Sequence, residues 1–197
     1  MLKKGFTLIE LIIVIGIIAL LATTVILVIN PVNIFKEARD SQRIADLGQI
    51  NSAIGLYLAT ASDIDLDGSG TNECSGTNAD CWVHDGGDIA SGCGGRHGTK
   101  TAVSSASVAV NGTGWIPVDL TKTSGGSPLA AFPKDPKKST TLFYSYACDS
   151  AATTVELNAD MESDRYGGAT SADNVEKADG GNSDTLFEVG NAPGLGL

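Results

Sequence analysis

The chain has 197 residues, of which 42% are hydrophobic, and its 13 basic and 23 acidic residues give a formal net charge of −10. This length is sufficient for one globular domain in addition to a helix that could cross a membrane. The acidic balance argues against a basic nucleic-acid-binding surface and suits a domain that faces extracellular water, so no nucleic acid is expected as a partner.

The first thirty residues form an apolar segment in which no charged side chain occurs between residues 11 and 29. A helix over residues 8–29 would be roughly 33 Å long, which is enough to cross the hydrocarbon core of a bilayer. Because Lys3 and Lys4 precede it and positive residues stay in the cytoplasm, the sequence predicts a single pass through the cytoplasmic membrane with the N-terminus inside. A removable secretory signal fits less well, since the apolar run is longer than usual and no A-x-A cleavage site follows it.

Glu10 is the only acidic residue at the head of this segment. A carboxylate in a membrane segment is costly and is by default a functional group with a partner. No Lys or Arg within the segment can pair with it. The partner must therefore come from another chain or from a new amine that cleavage creates.

Residues 3–11, KKGFTLIEL, closely resemble the class III signal of type IV pilins and type II secretion pseudopilins. The resemblance implies that a prepilin peptidase cleaves between Gly5 and Phe6 and that Phe6 is then N-methylated. It also implies that Glu10 faces the new amine of Phe6 on a neighbouring subunit. Such an intermolecular pair neutralises both charges in a low dielectric, and only a correctly staggered neighbour can supply it.

The apolar segment is predicted to continue into an amphipathic one as a single long helix from about Thr7 to about Ala61, kinked at Pro31. Beyond residue 34, apolar residues recur at spacings of three and four, with charged residues between them. The apolar side is expected to pack on a sheet, through Leu47, Ile50, Ile54 and Tyr57. The polar side is interpreted as a solvated helix face, and it consists of Lys36, Glu37, Arg39, Asp40 and Arg43.

Residues 63–114 are rich in Gly, Ser, Asn and Asp and contain three of the four cysteines, Cys74, Cys81 and Cys93. This composition predicts a loop region with one short strand over residues 103–110. Since an exported domain meets an oxidising environment, we expect two disulfides with Cys148 as the fourth partner. Of the three pairings we favour Cys74 with Cys81 and Cys93 with Cys148.

A zinc site is the alternative use of these cysteines, because Cys81-x2-His84 and Cys93-x3-His97 have tolerable ligand spacing. Oxidation outside the cytoplasm would compete with thiolate binding, so disulfides are favoured.

Asp63, Asp65, Asp67 and Gly68 form the first half of a D-x-D-x-D-G calcium loop, in which alternate oxygen ligands precede a glycine turn. The loop is incomplete, because its twelfth position is Cys74 and Glu73 falls one residue early. Calcium is therefore the candidate cofactor, and a polar turn that caps the helix is the alternative. A second acidic run, residues 173–184, is interpreted as a solvated loop, although the resemblance to major pseudopilins implies a calcium site in such C-terminal loops.

Residues 115–197 are predicted to form a small antiparallel sheet with strands at 140–148, 153–161 and 185–189, the first two as a hairpin. In the second strand Val155, Leu157, Ala159 and Met161 are expected to point inward. Their neighbours are expected to point outward, namely Thr154, Glu156, Asn158 and Asp160. The run PLAAFPKDP and these strands also resemble, more loosely, the heads of type IV pilins and major pseudopilins.

The predicted fold is α+β, with a long N-terminal helix packed on this sheet. Its parts are a leader (1–5), a transmembrane or filament-core half-helix (6–30), an amphipathic half-helix (31–62), a disulfide-stapled loop region (63–114), and a sheet with a C-terminal loop (115–197). No catalytic arrangement is evident, because the two histidines lack an obvious nucleophile, and Trp82, Trp115, Tyr144 and Tyr146 are interpreted as core residues.

Three hypotheses on function remain. The first is a structural subunit of a type IV pilus-like homo-oligomeric filament, which is processed by prepilin peptidase, anchored in the membrane before assembly and carried to the cell surface by assembly machinery. The second is a major-type pseudopilin of type II secretion. The third, from another class, is a monomeric membrane-anchored extracellular binding domain.

Overall fold

The computed structural model describes residues 5–70, 74, 80–84, 89–149, 153–192 and 194–197. The chain divides into two compact units, one that ends at Lys36 and one that begins at Glu37. The fold is α+β, as predicted from the sequence.

Helix α1 spans Leu8–Ile29 and helix α2 spans Pro31–Thr60. The prediction of one continuous helix kinked at Pro31 is therefore wrong, because Asn30 adopts a left-handed conformation with φ +43° and ends α1. Two local preferences explain the break. Asn tolerates the left-handed region, and a proline disfavours helical geometry in the residue before it while being favoured at the first position of a new helix.

Helix α2 packs its apolar side on the sheet, which confirms the prediction for Leu47, Ile50, Ile54 and Tyr57, each 0% exposed. Its polar side differs from the prediction of a solvated face. Asp40 and Arg43 are also fully buried. Their burial is possible because carboxylates and amides from distant parts of the chain satisfy them, as described below.

Five strands form one mixed sheet in the order β2-β1-β3-β4-β5. The strands are β1 (Asp80–His84), β2 (Thr101–Ser105), β3 (Tyr144–Asp149), β4 (Thr154–Ala159) and β5 (Phe187–Gly190). The predicted β3–β4 hairpin is confirmed, with Tyr146 opposite Leu157. The antiparallel arrangement predicted for the strands of residues 115–197 is confirmed, and the sheet is mixed because two strands from the predicted loop region, β1 and β2, are parallel to each other. Strand β1 was not predicted, because it lies in the segment expected to be a loop region. Strand β2 overlaps the strand predicted over residues 103–110 and begins two residues earlier.

Both faces of the sheet are covered. The face toward α2 carries the main core, where Trp115, Tyr144 and Tyr146 are buried together with the helix residues. The opposite face carries a smaller core with Val83, Phe143 and Ala147.

This second core overturns the prediction that alternate residues of β4 point to solvent. Every residue of β4 is buried, including Glu156 at 1% exposure and Asn158 at 0%. A two-residue period reveals which face a side chain is on, but it does not show whether that face is covered.

Candidate functional site

Helix α1 is exposed on every side within its own unit. Among the large apolar side chains of this helix whose exposure the structure describes, Val14 is the least exposed, at 45%, and the preceding Phe6 is 85% exposed. By length and composition the helix can cross a membrane over Leu8–Ile26. A helix that is apolar all round is stable only inside a bilayer or among other helices.

The start of α1 is fixed by a capping box between Thr7 and Glu10. The Glu10 amide donates to Thr7 Oγ1 at 3.3 Å. In return, Glu10 Oε2 accepts from the Thr7 amide at 2.9 Å and from the Thr7 hydroxyl at 2.7 Å. These bonds satisfy amide groups that would otherwise be unpaired at a helix N-terminus.

The geometry leaves Glu10 able to take a further partner. Both bonds to the carboxylate end on Oε2, and within the described residues Oε1 has no hydrogen-bond partner. A carboxylate offers about four acceptor sites, so Oε1 can accept from a cationic donor without disrupting the cap. Cleavage between Gly5 and Phe6 would leave the Phe6–Thr7 amide intact, so the capping box would survive processing.

Residues 1–26 match the family model of the prokaryotic N-terminal methylation motif. The chain carries a class III signal of the type IV pilin and pseudopilin kind. The match supports a precursor of the type IV pilin-like or pseudopilin kind, and the motif implies processing by a prepilin peptidase. No curated protein and no solved structure gives a significant match to the chain.

Beyond the class III signal, α2 is held to the head by a buried network around Arg43. Its guanidinium donates to Asp135 at 2.7 and 2.9 Å, to Asp40 at 2.7 Å and to Glu162 at 3.1 Å. Asp40 also accepts from the amides of Glu162 and Ser163, at 2.9 and 2.8 Å. The network therefore ties one helix to two loops that are remote in sequence.

Two further cations complete the network at Glu162. Arg39 donates to both of its oxygens, at 2.7 and 2.8 Å, and Lys137 donates at 3.0 Å. The hydrogen bonds from Arg39, together with those from Lys137 and Arg43, lower the pKa of Glu162 to about 2. Burial acts to lower the pKa of Arg43, but its bonds to Asp135, Asp40 and Glu162 raise that pKa overall. Arg39, Arg43 and Glu162 therefore stay charged at neutral pH.

The disulfides join Cys74 to Cys148 and Cys81 to Cys93. All four cysteines are bonded as predicted, but the favoured pairing is wrong. Cys81 lies opposite Ala147 and shares its face of the sheet, whereas Cys148 points to the other face. Successive strand residues alternate between the two faces of the sheet. Cys93 lies on the face that carries the smaller core, so it cannot reach Cys148 on the face toward α2. Because Cys81 and Cys93 are bonded to each other, neither can supply the thiolate that the alternative zinc site requires.

In the candidate calcium loop, the carboxylates of Asp65 and Asp67 accept hydrogen bonds from backbone amides. Asp65 accepts from the Gly68 and Gly70 amides at 2.7 and 3.0 Å, and Asp67 accepts from Ser69 at 2.9 Å. The Tyr57 hydroxyl contacts the Asp63 carbonyl at 3.1 Å. Glu73 lies outside the described residues. Within the described part of the chain no group of three His, Cys, Asp or Glu side chains is placed to hold a metal, so calcium binding stays a prediction.

Most residues of the acidic run at 173–184 are exposed or half-buried, as expected for a solvated loop, but Glu176 is buried. Glu176 is 3% exposed and accepts from the Met161 amide at 3.0 Å. Asp179 accepts from the amides of Gly181 and Glu188, at 2.9 and 2.7 Å. These carboxylates organise the loop through backbone amides, and sequence alone did not indicate the burial of Glu176.

His97 has a hydroxyl partner that the sequence analysis missed. Its Nε2 lies 2.9 Å from Ser145 Oγ, and its Nδ1 lies 3.7 Å from Glu156 Oε1. Burial, with repulsion from Arg96 and Lys100, lowers the pKa of His97 to about 3, while burial raises that of Glu156 to about 7. The three side chains are between 0% and 1% exposed, so no substrate can reach them in this conformation.

Proposed function

We propose that the chain is a structural subunit of a type IV pilus-like filament, assembled through α1 after cleavage between Gly5 and Phe6. The observation that carries this proposal is the combination of the methylation motif with a helix that is exposed and apolar on every side. Such a helix needs a membrane before assembly and neighbouring helices afterwards. The two lysines before the cleavage site favour a cytoplasmic N-terminus, which places the head outside the cell.

Glu10 is proposed to select the register between subunits. Its Oε1 is available for the amine of Phe6 on a neighbouring copy, while Oε2 keeps the capping box. A misplaced neighbour would leave both charges unpaired in an apolar environment, which costs several kcal/mol. The pair therefore favours one stagger between copies.

The first experiment is mass spectrometry of the membrane-extracted protein from cells with a working prepilin peptidase. We expect a chain that begins at Phe6 and carries the mass of one extra methyl group. A chain that still contains its leader would contradict the filament and would favour the monomeric anchored domain.

The second experiment compares Glu10→Gln with a matched control, Glu37→Gln. The control also removes one carboxylate, but from an exposed ion pair with Arg165. We expect filaments in sheared surface material to be lost in the first variant and kept in the second, since the proposed intermolecular pair involves Glu10, whereas Glu37 pairs with Arg165 of its own chain. Both variants should still be processed. Normal filaments from Glu10→Gln would refute the register role.

The alternative of a type II secretion pseudopilin shares the class III signal and differs in filament length. Electron microscopy of the same sheared material separates the two. Long surface fibres support a pilus, whereas their absence from cells that process the chain supports a short pseudopilus.

A further inference from the structure

Strand β2, Thr101–Ser105, forms one edge of the sheet. In the part of the chain that the structure describes, its only strand partner is β1, and its backbone makes no hydrogen bond to any other segment. Thr101, Val103 and Ser104 are exposed. An edge strand presents a row of unpaired N–H and C=O groups. The outer side of β2 can therefore accept one more strand.

The opposite edge of the sheet is protected. There the amide of Glu188 in β5 donates to Asp179 Oδ2 at 2.7 Å, so a loop with an acidic side chain covers the strand. Proteins commonly block their sheet edges with charged side chains, prolines, bulges or covering segments. The sequence of β2, TAVSS, contains no charge and no proline, and its register with β1 contains no bulge. Of the two edges, β2 is therefore the one that is open to pairing.

The charge distribution of the chain points to a second copy as the partner. With 13 basic and 23 acidic residues, most surfaces of two copies repel each other, but residues 101–118 contain no charged side chain. An antiparallel pair of two β2 strands centred on Val103 aligns Thr101 with Ser105 and Val103 with itself, so no like charges are opposed. Val103 is 39% exposed, and β-branched side chains stabilise such cross-strand pairs.

We propose that β2 pairs edge to edge with β2 of a second copy, antiparallel and centred on Val103. The contact joins two five-stranded sheets into one. Five residues on each side are far fewer than the roughly 20–30 of a stable interface, so the contact is weak in dilute solution. It becomes significant where copies are concentrated, as they are in a membrane. The proposal does not depend on filament assembly, because it requires only two heads side by side.

The test is oxidative cysteine cross-linking of the full chain, reconstituted at high density in lipid vesicles. In the proposed register, the two copies of residue 103 lie opposite each other with Cα atoms about 4.5–5.5 Å apart, within reach of a disulfide. The two copies of residue 101 lie about 14 Å apart, which is too far. Val103→Cys should therefore form linked dimers roughly tenfold faster than Thr101→Cys. A mixture of Thr101→Cys and Ser105→Cys should form them readily again, because these two positions are opposite each other.

Leu56→Cys is the matched control for random collisions in the membrane. Leu56 lies on α2 and is 42% exposed, close to the 39% of Val103. If Val103→Cys dimers form no faster than Leu56→Cys dimers, the proposal is overturned, and the edge of β2 is left for a strand of another protein. Equal rates for Val103→Cys and Thr101→Cys would refute the proposed register.

A lysine at the centre of the edge tests the pairing without a thiol at that position. Lysine is common on natural edge strands, so Val103→Lys should be tolerated by the fold. Added to the mixture of Thr101→Cys and Ser105→Cys, it should reduce cross-linking about tenfold, since it places two like charges opposite each other. Leu56→Lys, added in the same way, should leave the cross-linking unchanged. Cross-linking that survives Val103→Lys would refute the pairing.

Discussion

Replacing Glu176 with Gln should remove much of the pH dependence of the stability of the head. The carboxyl is 3% exposed and accepts one hydrogen bond, from the Met161 amide to Oε1. Burial, reinforced by repulsion from Asp160, Asp40 and Asp179, raises its pKa to about 7. Glutamine keeps an acceptor oxygen of the same shape and stays neutral at every pH. The substitution therefore removes only the ionisation.

The sign of the effect follows from the two pKa values of Glu176. In the unfolded chain the group titrates near 4.5, and in the folded chain near 7. Between these values the folded state holds a proton that the unfolded state has released. The stabilisation is therefore fully present below pH 4.5 and is lost as the pH rises through 7. The difference between the pKa values corresponds to about 3.4 kcal/mol, of which about 2.5 kcal/mol is lost between pH 5 and pH 8.

The assay is urea unfolding of the full chain in micelles at pH 5 and pH 8, followed by the fluorescence of the buried Trp82 and Trp115. The variant should be stabilised relative to the parent protein by about 2.5 kcal/mol more at pH 8 than at pH 5. The raised pKa of Glu156 acts in the same direction in both proteins, so it cancels in the comparison. Asp184→Asn, at an exposed position, should follow the parent protein. If Glu176→Gln also loses the same stability as the parent between the two pH values, the carboxyl is not held protonated.

Three further predictions concern the network, the disulfides and the calcium loop. Arg43→Met should destabilise the head by about 3–5 kcal/mol in urea unfolding, because it leaves buried carboxylates unpaired. The control Arg165→Met removes an exposed ion pair and should cost about 1 kcal/mol or less. Equal losses of stability in the two variants would show that the network is hydrated. Replacing both cysteines of the Cys74–Cys148 bond by Ser should cost about 1.5 kcal/mol more stability than the same change at Cys81–Cys93. The reason is that a disulfide restricts the unfolded chain more when it closes a longer loop, and the sequence separations are 74 and 12. Non-reducing peptide mapping that finds Cys74 joined to Cys81 would contradict the pairing. If calcium occupies the Asp63–Asp67 loop, chelation should lower the Tm of the parent protein and leave that of Asp65→Asn unchanged; an unchanged Tm in the parent protein would eliminate the site.

The sequence predicted well those features that depend on a few neighbouring residues. The charge-free run of α1, the apolar side of α2 and the β3–β4 hairpin each follow from a periodic pattern within one segment. The break at Asn30 is local too. It was missed because proline was expected to kink the helix, whereas the residue before it left the helical region altogether.

The features that were missed depend on contacts between distant segments. Arg43 and Asp40 have the spacing of a solvated helix face, and their burial is favourable because they bond to the loops around Asp135 and Glu162, 92 and 119 residues beyond Arg43. The disulfide pairing likewise depends on which face of the sheet each cysteine occupies, and that is fixed by the register of β1 against β3. Neither the partners of Arg43 and Asp40 nor the pairing of the cysteines can be predicted from the residue pattern of one segment.

This contrast explains why the class III signal could be recognised without the head. Thr7 and Glu10 are three residues apart, and their bonds form within one helical turn, so the geometry at the cleavage and assembly residues is specified by the same short stretch that a peptidase would bind. The buried network is the opposite case, because Arg43, Asp135 and Glu162 come from three segments that the fold must bring together. A substitution that weakens the buried network of the head should therefore leave the capping box of Thr7 and Glu10 unchanged.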